Sequence, residues 1–381
     1  MNTARQPPHC GCIDIHTHVV PHDFPAYVGR RPDAPWPSMA DAGPCHRHVV
    51  ISSKVYRTVS NRAWDVDIRR GDMDRIDVRR QVLSPMPELL SYWLDPADGA
   101  TLARYLNEVL ANMVARSPGR FSALGAAPMQ DIDCAIRELE FAVGTLGLAG
   151  IEVGSNVGGV PIGDPRFWPF FEAAEACNAA LFVHPLRPAG MDRLVGPPAL
   201  EQIVAFPGEI GLAAASLITG GLLKRFPRLR VALSHGGGAI QTLLPRMQFA
   251  WECQDALREA IPVAPVDAAR TLYYDDLLYS TTAIHSLIET VGANRVMIGT
   301  DYPFAIMDPD PAARVAALGL SDAAQEALRW RNAAAWLGLD PIVGQPGPFP
   351  ADGAMAVRVE ESAQLRHTGA TIGTGPQSMP E

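Results

Sequence analysis

Near its start the chain reads Ile13-Asp14-Ile15-His16-Thr17-His18, an apolar run that ends in two histidines one residue apart. Alternate side chains of a β-strand point the same way, so His16 and His18 present their imidazoles to one point beyond a strand end. A lone strand-end histidine is more often a hydrogen-bonded core group than a ligand. The pair therefore indicates a metal site only if other strands bring ligands to the same place.

Short apolar runs alternate with longer segments of helical pattern along most of the chain. The eight predicted strands are Cys12 to His16, Gln81 to Ser84, Ser122 to Ala126, Gly150 to Val153, Ala180 to His184, Val231 to His235, Leu272 to Asp276 and Val296 to Asp301. This alternation is typical of βα units and a parallel sheet. It predicts an α/β fold, a distorted (β/α)8 TIM barrel, although an open doubly wound sheet gives a similar pattern.

Four of the predicted strands end in groups that bind metals or transfer protons. Strand one carries His16 and His18, strand five ends at His184, strand six at His235 and strand eight at Asp301. The C-terminal ends of barrel strands converge on one mouth, and imidazoles or carboxylates are costly there without partners. The pattern predicts a metal held by His16, His18, His184 and Asp301, with His235 beside it.

One barrel, residues 1–340, accounts for most of the chain. Residues 21–61 are rich in Pro, Gly, His and Arg and follow strand one, so they predict a long functional insertion on the active-site side of the barrel. Residues 341–381 are rich in Gly, Pro and Ser without a sustained period. They predict a tail that is extended or disordered, or that wraps a neighbouring subunit.

Composition limits the class of protein. Hydrophobic residues make up 48% of the 381 residues, which is enough for a sizeable core, and the net charge of −9 disfavours nucleic acid as a partner. The longest apolar runs, such as residues 210–223, are interrupted by Gly and Ser and fall short of the roughly 20 residues that a membrane span needs. Six scattered cysteines and a polar start predict a cytoplasmic enzyme with reduced thiols and no membrane partner.

The residues also carry a family resemblance from about Ile13 to Leu339. The order His-x-His, His, His, Asp is similar to that of the amidohydrolase superfamily. Narrower strings resemble the branch typified by α-amino-β-carboxymuconate-ε-semialdehyde decarboxylase: Ser234 to Gly238, Leu243 to Arg246, Arg295 to Phe304, Tyr56 to Val59, Trp64-Asp65 and Asp72 to Asp74.

The resemblance implies roles for particular residues. His235 matches the family's non-ligand histidine, a general base that activates metal-bound water, and Asp301 takes part in catalysis as well as in metal binding. Arg57 and Arg246 match the carboxylate-binding arginines, with Arg246 contributed across the interface of a homodimer. The implied substrate is a small anionic carboxylate. Lys54 is a weaker candidate for a substrate contact, and a solvated loop charge is its more favoured interpretation.

Strand four bears on the number of metal ions. Binuclear amidohydrolases commonly place a carboxylated lysine at its end, but Ala149 to Gly154 contains no lysine, which predicts one metal per subunit. Glu152 is predicted to be a hydrogen-bonded core or metal-supporting carboxylate rather than a bridging ligand. Three imidazoles and one carboxylate suit Zn²⁺ best, with Mn²⁺ or another divalent ion as the alternative. Zinc lowers the pKa of bound water toward about 7.

The sequence therefore predicts a zinc-dependent, non-oxidative decarboxylase of a carboxylated muconate semialdehyde or a related hydroxylated aromatic acid. His-x-His, rather than the Glu-x-His of related aromatic-acid decarboxylases, favours the semialdehyde. The family tends to place an aromatic wall after the strand-five histidine, yet Pro185 to Leu200 contains no aromatic residue, which puts that substrate in question. The alternatives are a hydrolase or hydratase of the same branch acting on an anionic ring-cleavage product, and a catalytically silent binding barrel.

Overall fold

The computed structural model describes residues 11–339, and its centre is a sheet of eight parallel strands in chain order. The strands are β1 (Cys12–Val19), β2 (Val78–Pro85), β3 (Phe121–Gly125), β4 (Gly150–Gly154), β5 (Ala180–His184), β6 (Arg230–Leu233), β7 (Tyr273–Asp275) and β8 (Val296–Met297). The chain after β8 returns to β1, because the N–H of Ile15 donates to the carbonyl of Ile298 at 2.9 Å. The sheet is therefore closed, which confirms the TIM barrel over an open sheet.

Helices lie between the strands and cover the barrel. They are α1 (Val66–Arg75), α2 (Pro96–Arg116), α3 (Ile132–Glu140), α4 (Trp168–Ala176), α5 (Phe206–Thr219), α6 (Leu222–Arg225), α7 (Ile240–Cys253), α8 (Asp255–Ala260), α9 (Pro265–Ala269), α10 (Thr281–Val291), α11 (Pro311–Ala317), α12 (Asp322–Glu326) and α13 (Asn332–Leu337). Several begin at a capping side chain; for example, Asp131 accepts the N–H of Cys134 at the start of α3. Trp336 of α13 packs with Ile15 and Phe182 in a fully buried cluster below the site.

The predicted strand ends are close to those observed, except in three strands. β1 continues to Val19, whereas β6 ends at Leu233 and β8 at Met297. His235 and Asp301 therefore lie in the turns after their strands, with φ angles of 52° and 64°. Left-handed backbone cannot continue a strand, so the strands end before the functional residues.

The predicted insertion, residues 21–61, contains structure that the sequence analysis did not predict. Ser38–Asp41, His46–Ile51 and Lys54–Ser60 form a three-stranded antiparallel sheet. Val49 and Val59 of this sheet are buried in the main core. The insertion is thus packed onto the barrel, and the predicted tail at 341–381 lies outside the described residues.

One described helix, Glu201–Thr219, is long and apolar enough to cross a membrane, with 19 residues and a mean hydropathy of 1.4. This helix is longer than the apolar run predicted from the sequence, because the π-helical segment Glu201–Ala205 directly precedes α5 and is continuous with it. Its side chains Ile210, Ala214 and Leu217 are buried in the core. One face of this helix therefore packs against the barrel.

Candidate metal centre

The four predicted metal ligands meet at the mouth of the barrel. One donor atom from each of His16, His18, His184 and Asp301 lies within 4.8 Å of the others, and all four residues are buried. Nε2 of His18 is 3.1 Å from Nε2 of His16 and 3.1 Å from Oδ1 of Asp301. Ligand atoms about 2.1 Å from one ion lie roughly 3 to 3.5 Å apart, so this donor set fits a single divalent cation.

The other ring nitrogen of each histidine already has a partner. Nδ1 of His16 is 2.7 Å from Oδ2 of Asp275, while Nδ1 of His18 and of His184 are 3.1 and 3.0 Å from backbone carbonyls. Metal-binding histidines almost always donate their second N–H in this way, which fixes the ring. Nε2 is therefore the free nitrogen of each imidazole.

The close approach of β1 to β8 depends on a glycine. A Cβ atom at Gly299 would lie 2.9 Å from Cβ of His16 and 2.8 Å from Cβ of Asp275. Either distance is shorter than packed carbon atoms tolerate. Gly299 therefore allows His16 and Asp275 to occupy adjacent positions below the metal ligands.

Asp275 is a functional residue that the sequence analysis missed. Besides His16, it accepts the backbone N–H groups of His235 at 3.0 Å and of Gly236 at 2.7 Å. Burial opposes its ionisation, but these donors, above all His16, hold the pKa of the Asp275 carboxyl below its ordinary value. A signal was present, since strand seven ends in two consecutive carboxylates, Asp275-Asp276.

His235 lies beside the ligand group without belonging to it. Its ring centroid is 5.2 Å from that of His16 and 5.3 Å from that of His184. Burial, with the neighbouring His16, lowers the pKa of His235 to about 4. The imidazole is therefore neutral at pH 7, the form in which it accepts a proton.

A cleft that is open to solvent reaches the site. His184, His235 and Asp301 are among its lining residues. Phe206 and Phe304 also line it, so aromatic walls are present although the loop from Pro185 to Leu200 supplies none. These two rings come from α5 and from the turn after β8, outside the loop in which the family tends to place its aromatic wall.

The three predicted substrate contacts are placed differently. Arg57 lines the cleft, with its guanidinium carbon 4.2 Å from the centroid of the Phe304 ring, and within residues 11–339 it forms no ion pair. Lys54 and Arg246 are exposed and are not among the described residues that line the cleft of their own chain. Of these three residues, a single chain therefore brings only Arg57 to the cleft.

Glu152 lies on β4 in register with Phe182, and its side chain is fully buried. Neither carboxylate oxygen has a hydrogen-bond partner in the described part of the chain, in contrast to the hydrogen-bonded role predicted for it. Burial raises its pKa well above the ordinary value. Glu152 is absent from the ligand group formed by the described residues, which agrees with its predicted place outside the first coordination sphere.

Several known proteins are similar to this chain in sequence and in fold. The amidohydrolase family model matches residues 13–339. The 2-amino-3-carboxymuconate-6-semialdehyde decarboxylase of Dictyostelium discoideum is 35% identical over 333 residues, which cover 86% of this chain and 92% of that protein. The structure of 5-carboxyvanillate decarboxylase from Sphingomonas paucimobilis is 30% identical with a TM-score of 0.68, covering 74% of this chain and 85% of that one.

A second solved structure carries a metal. Dihydroxybenzoic acid decarboxylase from Polaromonas sp. JS666, with bound manganese and the inhibitor 2-nitroresorcinol, is 27% identical with a TM-score of 0.66, covering 73% of this chain and 87% of that one. The family match, the barrel and the convergent ligand set agree with one another. The chain belongs to the amidohydrolase family and, within it, to the metal-dependent carboxy-lyases that resemble 2-amino-3-carboxymuconate-6-semialdehyde decarboxylase.

Proposed function

We propose that this protein is a non-oxidative decarboxylase of a carboxylated muconate semialdehyde or a related hydroxylated aromatic acid, with one zinc ion per subunit. One observation carries the proposal: the metal-ligand group, the neutral imidazole of His235 and the free guanidinium of Arg57 border a single cleft. A cation site, a proton acceptor and an arginine in one place suit an anionic substrate.

The ion would be held by His16, His18, His184 and Asp301, and when bound it supplies Lewis acidity toward water or a substrate oxygen. Arg57 binds a carboxylate through its N–H groups and is kept in place by the ring of Phe304.

The remaining chemistry is proton transfer. Loss of CO₂ leaves an electron pair on the ring or chain carbon, and that carbon takes up a proton. His235 accepts a proton from water and delivers it to this carbon, and the hydroxide left behind takes up CO₂ as bicarbonate or a proton from solvent. Phe206 and Phe304 limit the access of bulk water to the reacting carbon.

The identity of the metal rests on the donor set. Three imidazole nitrogens and one carboxylate favour zinc, whereas the related enzyme of Polaromonas sp. JS666 contains manganese. Metal analysis of protein purified without added metal, followed by reconstitution with Zn²⁺ or Mn²⁺, distinguishes the two ions.

The proposal includes a homodimer in the cytoplasm. Large apolar side chains are exposed on the helix Glu201–Thr219 and on α7, the helix that carries Arg246: Ile203, Val204, Leu212, Leu243 and Phe249. Arg246 lies near these exposed apolar side chains and does not line the cleft of its own chain. This arrangement supports a dimer interface through which Arg246 reaches the cleft of the partner subunit. The five cysteines of the described residues carry free thiols, which supports a reducing compartment.

The direct test follows CO₂ release by the metal-reconstituted protein. The substrates are 2-amino-3-carboxymuconate 6-semialdehyde, 2,6-dihydroxybenzoate and 5-carboxyvanillate. We expect at least one acid to release CO₂ in step with its disappearance, and the variant His235→Ala to release none. Hydration or hydrolysis products without CO₂ would favour the hydrolase or hydratase. A protein that neither binds metal nor turns over any acid would favour the silent barrel.

A further inference from the structure

Arg187, in the loop that follows β5, has a backbone conformation that side chains rarely adopt. Its φ angle is 43°, in the left-handed region that favours glycine. A non-glycine residue keeps such a conformation only where the surrounding structure holds it, and these positions cluster at functional sites.

Buried polar groups fix the backbone on both sides of this strained residue. The N–H of Leu186 donates to Oγ of Ser155 at 3.1 Å, and its carbonyl accepts Nδ2 of Asn156 at 2.6 Å. The N–H of Ala189 donates to Oε2 of Glu209 at 3.0 Å. Ser155 and Asn156 also donate to the other oxygen of Glu209, so one network holds the loop.

The side chain of Arg187 lines the same cleft as the metal ligands. Its guanidinium carbon is 3.3 Å from the centroid of the Trp93 ring. The nearest carboxylate belongs to Glu88, with Nη2 and Oε1 separated by 3.6 Å, which is too long for a hydrogen bond. Within the part of the chain that the structure describes, the guanidinium donates no hydrogen bond. Its N–H groups are available to a ligand.

Two arginines of one chain thus border the cleft, and each is backed by an aromatic ring: Arg57 by Phe304 and Arg187 by Trp93. Glu88 also lines the cleft, and burial, opposed in part by Arg187, raises the pKa of its carboxyl. At 3.6 Å from Nη2 of Arg187, Glu88 leaves the hydrogen-bonding positions of the guanidinium to a substrate carboxylate.

We propose that Arg187 is a specificity-determining residue that binds a second carboxylate of the substrate, one that is retained while the carboxylate near His235 is lost. The natural substrate is then an acid with two carboxylates. This inference rests on the decarboxylase proposed above. A monocarboxylic acid occupies the same cleft without using Arg187.

The test compares two ligands that differ by one carboxylate. In 3-methoxy-4-hydroxy-5-nitrobenzoic acid a nitro group stands in the place of a departing carboxylate, and a second carboxylate is retained. The matched compound 2-methoxy-6-nitrophenol has the same ring without that carboxylate. Binding of each ligand to the metal-loaded full chain is measured by calorimetry, so the readout does not depend on turnover.

The variants are Arg187→Gln and, as a matched control in the same loop, Arg193→Gln, whose exposed arginine does not line the cleft. We expect Arg187→Gln to weaken binding of the nitrobenzoic acid by about 10- to 100-fold, the scale of a charge-assisted hydrogen bond, and to leave the nitrophenol unchanged. Arg193→Gln changes neither. In turnover of a dicarboxylic acid, Arg187→Gln raises KM with little change in kcat.

Two results would overturn the assignment of Arg187. One is equal affinity of the nitrobenzoic acid for the wild type and Arg187→Gln. The other is an equal loss for both ligands, which would mean that Arg187 only shapes the cleft. Failure of both ligands to bind the wild type is a different outcome, because it counts against the aromatic acids of the proposed function. The KM and kcat of wild type and Arg187→Gln for the dicarboxylic semialdehyde then decide the assignment of Arg187.

Discussion

Replacing Asp275 with asparagine tests the main support of the metal centre. Oδ2 of Asp275 accepts Nδ1–H of His16 at 2.7 Å and the N–H of His235 at 3.0 Å. Oδ1 accepts the N–H of Gly236 at 2.7 Å and that of Leu277 at 3.2 Å. One buried carboxylate therefore orients a metal ligand and the backbone of the candidate base together.

The expected magnitude follows from these four donors. Asparagine keeps one oxygen and gains an amide that donates, so two of the four N–H groups lose their acceptor. A buried donor left without a partner costs about 1–3 kcal/mol, so we expect Asp275→Asn to lower the free energy of unfolding of the metal-free protein by about 2–6 kcal/mol. In either amide orientation His16 loses its ionised acceptor and has at best a neutral carbonyl oxygen, so metal binding should weaken by roughly 10- to 100-fold.

The pH dependence has a definite sign. The pKa of Asp275 is held below its ordinary value in the folded protein, so its contribution to stability is present above the unfolded pKa of about 3.9. That contribution is lost as the pH falls through the folded pKa. The difference in stability between wild type and Asp275→Asn should therefore be full at pH 7 and should shrink below about pH 4.

The assay is urea unfolding of the metal-stripped proteins at both pH values, together with chelator competition for Zn²⁺ or Mn²⁺. Glu138→Gln is the matched control, because Glu138 is also buried and pairs with Arg104, but lies on α3 outside the site. That variant should lose stability and keep its metal affinity. Wild-type metal affinity in Asp275→Asn would refute the supporting role of this carboxylate.

Further predictions concern the ligands, the base and the arginines. His235→Ala should keep its metal and lose CO₂ release, whereas His184→Ala should lose both, as measured by metal analysis and turnover; activity in the first variant would remove His235 from the base role. Arg57→Gln and Arg246→Gln should each be inactive alone, but mixed as hybrid dimers they should recover roughly a quarter of wild-type activity, since half of the dimers then carry one intact site. Burial lowers the pKa of His16, but the hydrogen bond and charge of Asp275 raise it by more, so the net pKa of His16 is above its ordinary value. Metal binding to His16 therefore competes with a proton. Metal affinity should then fall as the pH is lowered, by up to about tenfold per unit, and a pH-independent affinity would contradict this.

The ligand group was predictable from sequence because it depends on strand periodicity and topology. His16, His18 and His184 lie on strands, and His235 and Asp301 follow strands whose ends meet in any parallel barrel. The meeting of these side chains at one mouth of the barrel can therefore be predicted without knowing the paths of the loops. What the sequence could not provide was the left-handed backbone of the two turn residues, which is set by contacts between strands.

Asp275 and the walls of the cleft were not predictable in the same way. The pair Asp275-Asp276 follows a strand, but only the fold shows that Asp275 meets His16 while Asp276 pairs with Arg314. The path of the loop after β5 depends on Glu209, which is distant in sequence from the β4 end that it contacts. Such long-range polar contacts leave no local pattern in the chain.

The strained residues of the site have a common cause. His235, Asp301 and Arg187 all have positive φ angles, and each is held by backbone hydrogen bonds from its surroundings. The N–H of His235 donates to Asp275, the N–H of Asp301 donates to the carbonyl of His16, and the neighbours of Arg187 are fixed by buried side chains. Each left-handed residue costs about 1–3 kcal/mol. The strained conformation persists because these hydrogen bonds hold the backbone on either side of it. The backbone that carries Asp301, the candidate base His235 and Arg187 is thus held in position before metal or substrate binds, so little ordering free energy is spent on it at that step.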